Sequence, residues 1–159
     1  MSDFRTIVVT TDFSETSRHV FPAVAALASR FGSRVLALHV VEDRLPPFVD
    51  ELTALPMDEI AGGRVKRATE ELEAFVAESL RGLQVERIVL LGVPHLEIVR
   101  LTEERGADLI AMATHGGGFI SHAIFGSTTE RVVRRAPCPV LTVRAGRADP
   151  GLDTSRTGS

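Results

Sequence analysis

Apolar residues recur along the chain in two rhythms. Five short runs are nearly continuous: TIVVT at residues 6–10, RVLALHVV at 34–41, VERIVLL at 85–91, DLIAM at 108–112 and CPVLTV at 138–143. They are rich in Val, Ile and Leu and mostly do not alternate with polar residues. Strands covered on both faces of a parallel sheet have this pattern. Between the runs, apolar positions return every third or fourth residue. Val65, Ala68, Leu72, Phe75, Val76 and Leu80 fall on one helical face. Pro94 suits a first helical turn and Gly106 a helix end, with Leu96, Ile98 and Leu101 expected to face the sheet. A last helix is expected to be capped by Ser127, with Glu130 completing the capping box, and to stop before Pro137.

One helical stretch carries a flaw. Val20, Val24, Leu27 and Phe31 form a stripe, yet Pro22 falls inside it. Proline lacks a backbone N–H and its ring meets the carbonyl four residues back, a cost of about 3 kcal/mol in a regular helix interior. The expectation is a kink near residues 18–22, or a helix that starts late.

Five strands alternating with four helices predict an α/β fold with a mainly parallel sheet, and right-handed crossovers place helices on both faces. The 159 residues suit one domain, expected over 1–145, followed by a polar, Gly-containing tail at 146–159 that reads as disordered. Residues 42–56, EDRLPPFVDELTALP, form a Pro-broken connection whose Phe48, Leu52 and Leu55 need cover. Packing on the domain is the simplest reading; a lid or a partner contact are the others.

Composition narrows the classes of function. The net charge is −3 and no basic face is concentrated, which argues against a nucleic-acid binder. Arg131, Arg134 and Arg135 read as a solvated helix face. Cys138 has no second cysteine to pair with and reads as part of a buried strand. The start lacks a signal-peptide pattern, and no apolar run approaches the roughly 20 residues of a membrane span. A cytoplasmic protein without membrane contact is expected.

The chemistry concentrates in residues 113–130, ATHGGGFISHAIFGSTTE. In an open parallel sheet, ligands bind beyond the carboxyl ends of the strands, where strand order reverses. TTDFS after the first strand, HVVED ending the second and ATHGGG after the fourth should meet there. Gly116, Gly117 and Gly118 can turn several N–H groups inward as an anion nest. Gly126 and Ser127 then bring an open helix end to the same place, where amides and dipole favour phosphate. Hydroxyls of Ser127, Thr128 and Thr129 would add donors. A Gly-rich loop before a capped helix is also common without any ligand, so both readings stand on composition alone.

The spacing A-x-x-G-x9-G-S from Ala113 through Gly116 to Gly126 and Ser127 resembles the nucleotide motif of the universal stress protein family. The resemblance extends to IVVTTDFSETS, LHVVED, GVPHLEIVRLTEERGADLIAMATHG and GSTTERVVRRAPCPVLTVR. It implies a Rossmann-like sheet in the order 3-2-1-4-5 and, in the nucleotide-binding branch, ATP. It places Thr10, Thr11 and Asp12 near the adenosine, Val40 at the adenine through its backbone, and Met112 and Ala113 along the pocket. Gly116, Gly126, Ser127, Thr128 and Thr129 would surround ribose and phosphates. Residues 139–143, from Pro139 to Val143, would pair across a two-fold axis to form a homodimer. The implied role is stress-linked binding and signalling, with weak or no hydrolysis and an unidentified protein partner; a slow ATPase and a nucleotide-free dimeric adaptor are the alternatives. Two departures stand out: Ala113 replaces the first motif glycine, and Gly117 stands where many relatives carry a basic residue. Either could weaken binding or favour ADP or AMP over ATP.

Other candidates carry less. Asp12 suits a ribose contact, a metal ligand or a helix cap beside Ser14. His115 and His122 read as loop histidines, His39 as a hydrogen-bonded strand residue, and His19 and His95 as helix-surface positions. No set of residues stands at metal-ligand spacing, although a phosphate-bridging Mg²⁺ needs few protein ligands. No Walker lysine motif or nucleophile elbow is present, and the glycines of the PP-loop signature are missing after the first strand, so no catalytic residue is assigned.

Overall fold

In the computed structural model, which describes residues 3–43, 57–115 and 125–144, the sheet is built outward from β1 (Thr6–Thr10). Its neighbours are β2 (Arg34–Glu42) and β4 (Leu109–Ala113); β3 (Val85–Gly92) and β5 (Val140–Val143) form the two edges. The order is β3-β2-β1-β4-β5 and every pairing is parallel. This is the 3-2-1-4-5 order expected. The first four strands lie within one residue of the apolar runs. The fifth begins later, at Val140, so Cys138 and Pro139 precede it rather than belong to it. Pro139 has no N–H to give to a ladder; its carbonyl accepts the Ile110 N–H at 3.0 Å.

Side chains of the inner strands divide between two cores. Ile7, Val9, Val35, Ala37 and Ala111 pack on one side with Val20, Phe21 and Val24 and with Leu72, Phe75 and Val76. Val8, Leu36, Leu38, Ile110 and Met112 pack on the other with Ile98, Leu101 and Val132. Burial on both faces explains the continuous apolar runs. The first side is covered by α2 (Val20–Phe31) and α3 (Met57–Ser79), the second by α4 (Pro94–Arg105) and α5 (Ser127–Arg135).

Pro22 acts as expected. A short α1 (Glu15–Arg18) ends at His19 and α2 starts at Val20, so Pro22 sits in a first turn, where a missing N–H matters least. The α2 stripe is shifted from the expected one. Phe21 and Ala28 join Val20 and Val24 in the core, Leu27 is partly buried, and Phe31 is exposed, in edge contact with Phe4.

Three further expectations are corrected. Leu96 is exposed and His95 is buried, the reverse of the sequence reading. His95, Ile98, Leu101 and Thr102 repeat at three and four residues and share one face, whereas Leu96 lies two positions from Ile98 and turns away. Ser127 is not a cap: Gly126 holds the cap position with extended backbone, no side chain closes it, and Ser127 is the first helical residue. The helix does end at Arg135, ahead of Pro137, as expected. Cys138 is half-buried outside the strand, and burial followed by the charge of Asp108 pushes its thiol pKa up, which suits an inert thiol. Phe48, Leu52 and Leu55, and the tail at 146–159, lie outside the described residues. Among those described, no helix is long and apolar enough to cross a membrane.

Candidate functional site

The site begins where β1 stops. Alternate residues of a strand turn their backbone groups to opposite neighbours. Arg34 donates to Arg5 and Leu38 accepts from Thr11 at 3.0 Å, so even-numbered residues of β2 face β1. The next rung would join Val40 N–H to the Thr11 carbonyl. Instead, that carbonyl accepts the Nδ1–H of His39 at 2.8 Å, and the chain turns off the sheet. The Val40 N–H and C=O therefore face the space beyond the end of β1.

The turn that follows is held by its own side chains. The Thr11 hydroxyl oxygen accepts the Phe13 N–H at 2.9 Å and shares a hydrogen bond with Ser17 at 2.8 Å. Asp12 accepts the Ser14 N–H at 3.0 Å and also the Ser14 hydroxyl, while Ser14 caps α1 by accepting the Ser17 N–H at 3.2 Å. Asp12 thus supports the cap, as one of its three readings proposed. Phe13 has φ of 65°, the sole non-glycine with positive φ among the described residues. Such a backbone costs about 1–2 kcal/mol. Its ring stacks on His39 with centroids 4.3 Å apart and planes 28° apart, which offsets part of that cost.

The second wall forms where β4 ends. Ala113 is buried and packs in the core beneath α2, with no positive φ, so its methyl needs no glycine there. The Thr129 hydroxyl donates to the Ala113 carbonyl at 2.9 Å, and the Gly126 N–H donates to Thr114 O at 2.7 Å. These two bonds tie the loop's ends together. They also correct the donor list: the Thr129 hydroxyl proton and the Gly126 amide are already engaged. The first intrahelical bond of α5 runs from Glu130 N–H to Gly126 O, at 2.9 Å. Among the described residues, the N–H groups of Ser127, Thr128 and Thr129 have no partner. Gly116, Gly117, Gly118 and His122 lie outside the described residues. His115, at the loop's start, has its Nδ1 2.9 Å from the Thr114 hydroxyl.

These pieces surround one cavity of about 660 Å³. Thr10, Thr11 and Asp12 border it from β1, and Val40 from β2. Met112 and Ala113 border it from β4, and Gly126, Ser127, Thr128 and Thr129 from the start of α5. Every expected site residue that the structure describes borders this cavity. The sequence reading missed a third wall. Arg64, Arg67, Ala68 and Glu71 of α3 line the cavity, and Arg64 Nη2 donates to the Glu42 carbonyl at 2.7 Å. Their spacing of three, four and seven residues puts them on one helical face, a signal available in the sequence once α3 is known to cover the strand ends. Among the described residues, Arg67 makes no ion pair or hydrogen bond. Among the described residues, no group of three or more His, Cys, Asp or Glu is placed to hold a metal.

Residues 3–144 match the Universal stress protein family. The chain belongs to the universal stress protein family. It is similar to universal stress protein MJ0577 of Methanocaldococcus jannaschii, 29% identical over 89% of this chain and 95% of that protein. A Thermus aquaticus universal stress protein, encoded 3′ of a QAH/OAS sulfhydrylase, is 34% identical over 89% of this chain and 99% of its own length. The solved structure of MJ0577 superposes with a TM-score of 0.79 and 31% identity, covering 92% of this chain and 99% of that one. A universal stress protein in complex with cAMP shares the fold at a TM-score of 0.65 and 21% identity, covering 91% and 100% of the two chains. The same holds for one from Archaeoglobus fulgidus in complex with dAMP, at 0.57 and 20%, with the same coverage.

Proposed function

We propose that residues 1–145 of this universal stress protein act as one adenine-nucleotide-binding domain, with ATP as the first candidate ligand and ADP or AMP as the others. The observation that carries the reading is the cavity itself. It is lined by three amides at the start of α5 that have no partner among the described residues, by the backbone of Val40 and by buried Met112. Amides at a helix start favour phosphate oxygens. Three hydrogen bonds to a charged acceptor, at about 1.5–3 kcal/mol each, together with burial of a base, reach the roughly −8 kcal/mol of micromolar binding. Arg64 and Arg67 bring positive charge to the same cavity, which offsets the lack of a basic side chain at Gly117. A Mg²⁺ that arrives with the nucleotide would be held mainly by phosphate oxygens and water.

Hydrolysis is not a built-in step of this reading. Asp12 is engaged in the turn by accepting from Ser14. The protein then acts by binding: nucleotide occupancy alters the surface that a cytoplasmic protein partner meets, in a homodimer joined through the β5 edge. Calorimetric titration with ATP, ADP and AMP tests the reading, with cAMP and dAMP added because proteins of the same fold have been solved with them. Micromolar binding of at least one is expected, as is an adenine nucleotide in the mass spectrum of material released from the purified protein. No binding at millimolar nucleotide would end this reading. Phosphate release under saturating ATP is expected to stay near background and to be unchanged by Asp12→Ala.

A further inference from the structure

His39 makes the bond that, among the described residues, keeps β1 from continuing its ladder to β2 at the cavity. Its Nδ1–H holds the Thr11 carbonyl at 2.8 Å, at the point where the ladder calls for the Val40 N–H. Two linked features hold it there. Phe13 lies over the ring at 4.3 Å, from a backbone at φ of 65° that a phenylalanine adopts only under constraint. Thr11 is fixed through its hydroxyl, which binds the Phe13 N–H and Ser17. Were the carbonyl to return to the ladder, it would take the Val40 N–H and leave only half of the pair facing the cavity.

We infer that His39 is a positioning residue that sets base selectivity: by holding the Thr11 carbonyl away from the Val40 N–H, it leaves the Val40 N–H and C=O open to the base edge of an adenine. The inference rests on the nucleotide reading of the cavity. One backbone residue offers a donor and an acceptor side by side. The matching edge carries an acceptor beside a donor, as adenine does with N1 and its exocyclic amine. Hypoxanthine reverses both, with N1–H and a carbonyl oxygen at the same ring positions. The amides of Ser127, Thr128 and Thr129 fix the phosphate end of the ligand. The ring cannot turn over to restore the match, so the wrong base leaves polar groups unpaired.

The test is calorimetric titration of the full chain with ATP and with inosine triphosphate, which differ at the base edge. Wild type is expected to favour ATP by at least about tenfold. His39→Phe keeps a ring for Phe13 to stack on but removes the donor, and its preference should fall below about threefold. His39→Asn places an amide N–H near the Nδ1 position and should restore the preference. A purely structural role would weaken both ligands alike and leave their ratio unchanged. Should His39→Phe fail to fold, Phe13→Gly carries the same expectation, because glycine adopts the positive φ freely while removing the stack. A wild-type preference retained in the folded variant overturns the inference and leaves nucleotide binding intact. A wild type that binds neither nucleotide overturns the reading of the site itself.

Discussion

Gly126 holds two roles in one residue. Its extended backbone is open to any side chain, with φ of −69° and ψ of 162°, and its N–H ties the loop to Thr114. Gly126→Val should therefore fold, with at most a modest drop in melting temperature from the poorer helix cap. Its branched side chain at the mouth of α5 should weaken ATP binding by at least about tenfold, read by calorimetry. Equal affinity in the variant would move the phosphates away from α5. His95 shows a different residue-scale effect. Burial, then the charges of Arg131 and Arg135 on α5, lower its pKa. The unfolded chain binds that proton more readily than the folded one. The stability contributed is thus full above the unfolded value of about 6.5 and is lost as pH falls below it. The melting temperature should drop between pH 7 and pH 5, and His95→Gln should show a smaller drop over the same range.

Among the elements, α4 was the most legible from the sequence. Pro94 opens it, and Gly106 ends it at φ of 57° with its N–H on the last-turn carbonyls. Nothing lies within 4 Å of where a side chain at Gly106 would project, so Gly106→Ala isolates the backbone term. A loss of about 1 kcal/mol is expected, visible as a lower urea midpoint with unchanged slope. The start of α5 was less legible. A Ser followed three residues later by Glu suggests a cap, but the Thr114 carbonyl and the Ala113 carbonyl set the entry of this helix from the end of β4. Long-range bonds decided what the local pattern could not. Likewise, the exposure of Leu96 and burial of His95 depended on which side of α4 meets the sheet, a choice that a weakly amphipathic stretch does not state.

At the scale of the whole molecule, the sheet has two edges, β3 and β5. Odd-numbered residues near β5 bond to β4, as Ile110 N–H to Pro139 O and Thr114 N–H to Val143 O show. Val140 and Thr142 therefore turn their backbone groups outward, as a ready edge for a second copy. Thr142→Pro removes one outward N–H and spares the ladder to β4. If the protein dimerises through this edge, sedimentation of the variant should show a monomer with an intact circular dichroism spectrum. A dimer that persists would place the interface elsewhere.

Apolar rhythm alone determined that five strands and their helices exist, where most of them begin and end, and that the sheet is parallel and buried on both faces. The reason is that burial of each element's apolar face is a requirement of the element itself. The glycine-rich stretch ending at Gly126 and Ser127 pointed to open amides at the start of α5, because amides at a helix start are a local property. Only the tertiary structure decided that α3 forms the third wall, that Ala113 sits with its methyl in the core, and that the Thr129 hydroxyl is a strut rather than a donor to ligand. It alone showed that His39 takes the carbonyl a ladder bond would have used. Each of those facts depends on groups far apart in sequence meeting at the strand ends, and no local pattern records which of two available partners a polar atom will choose.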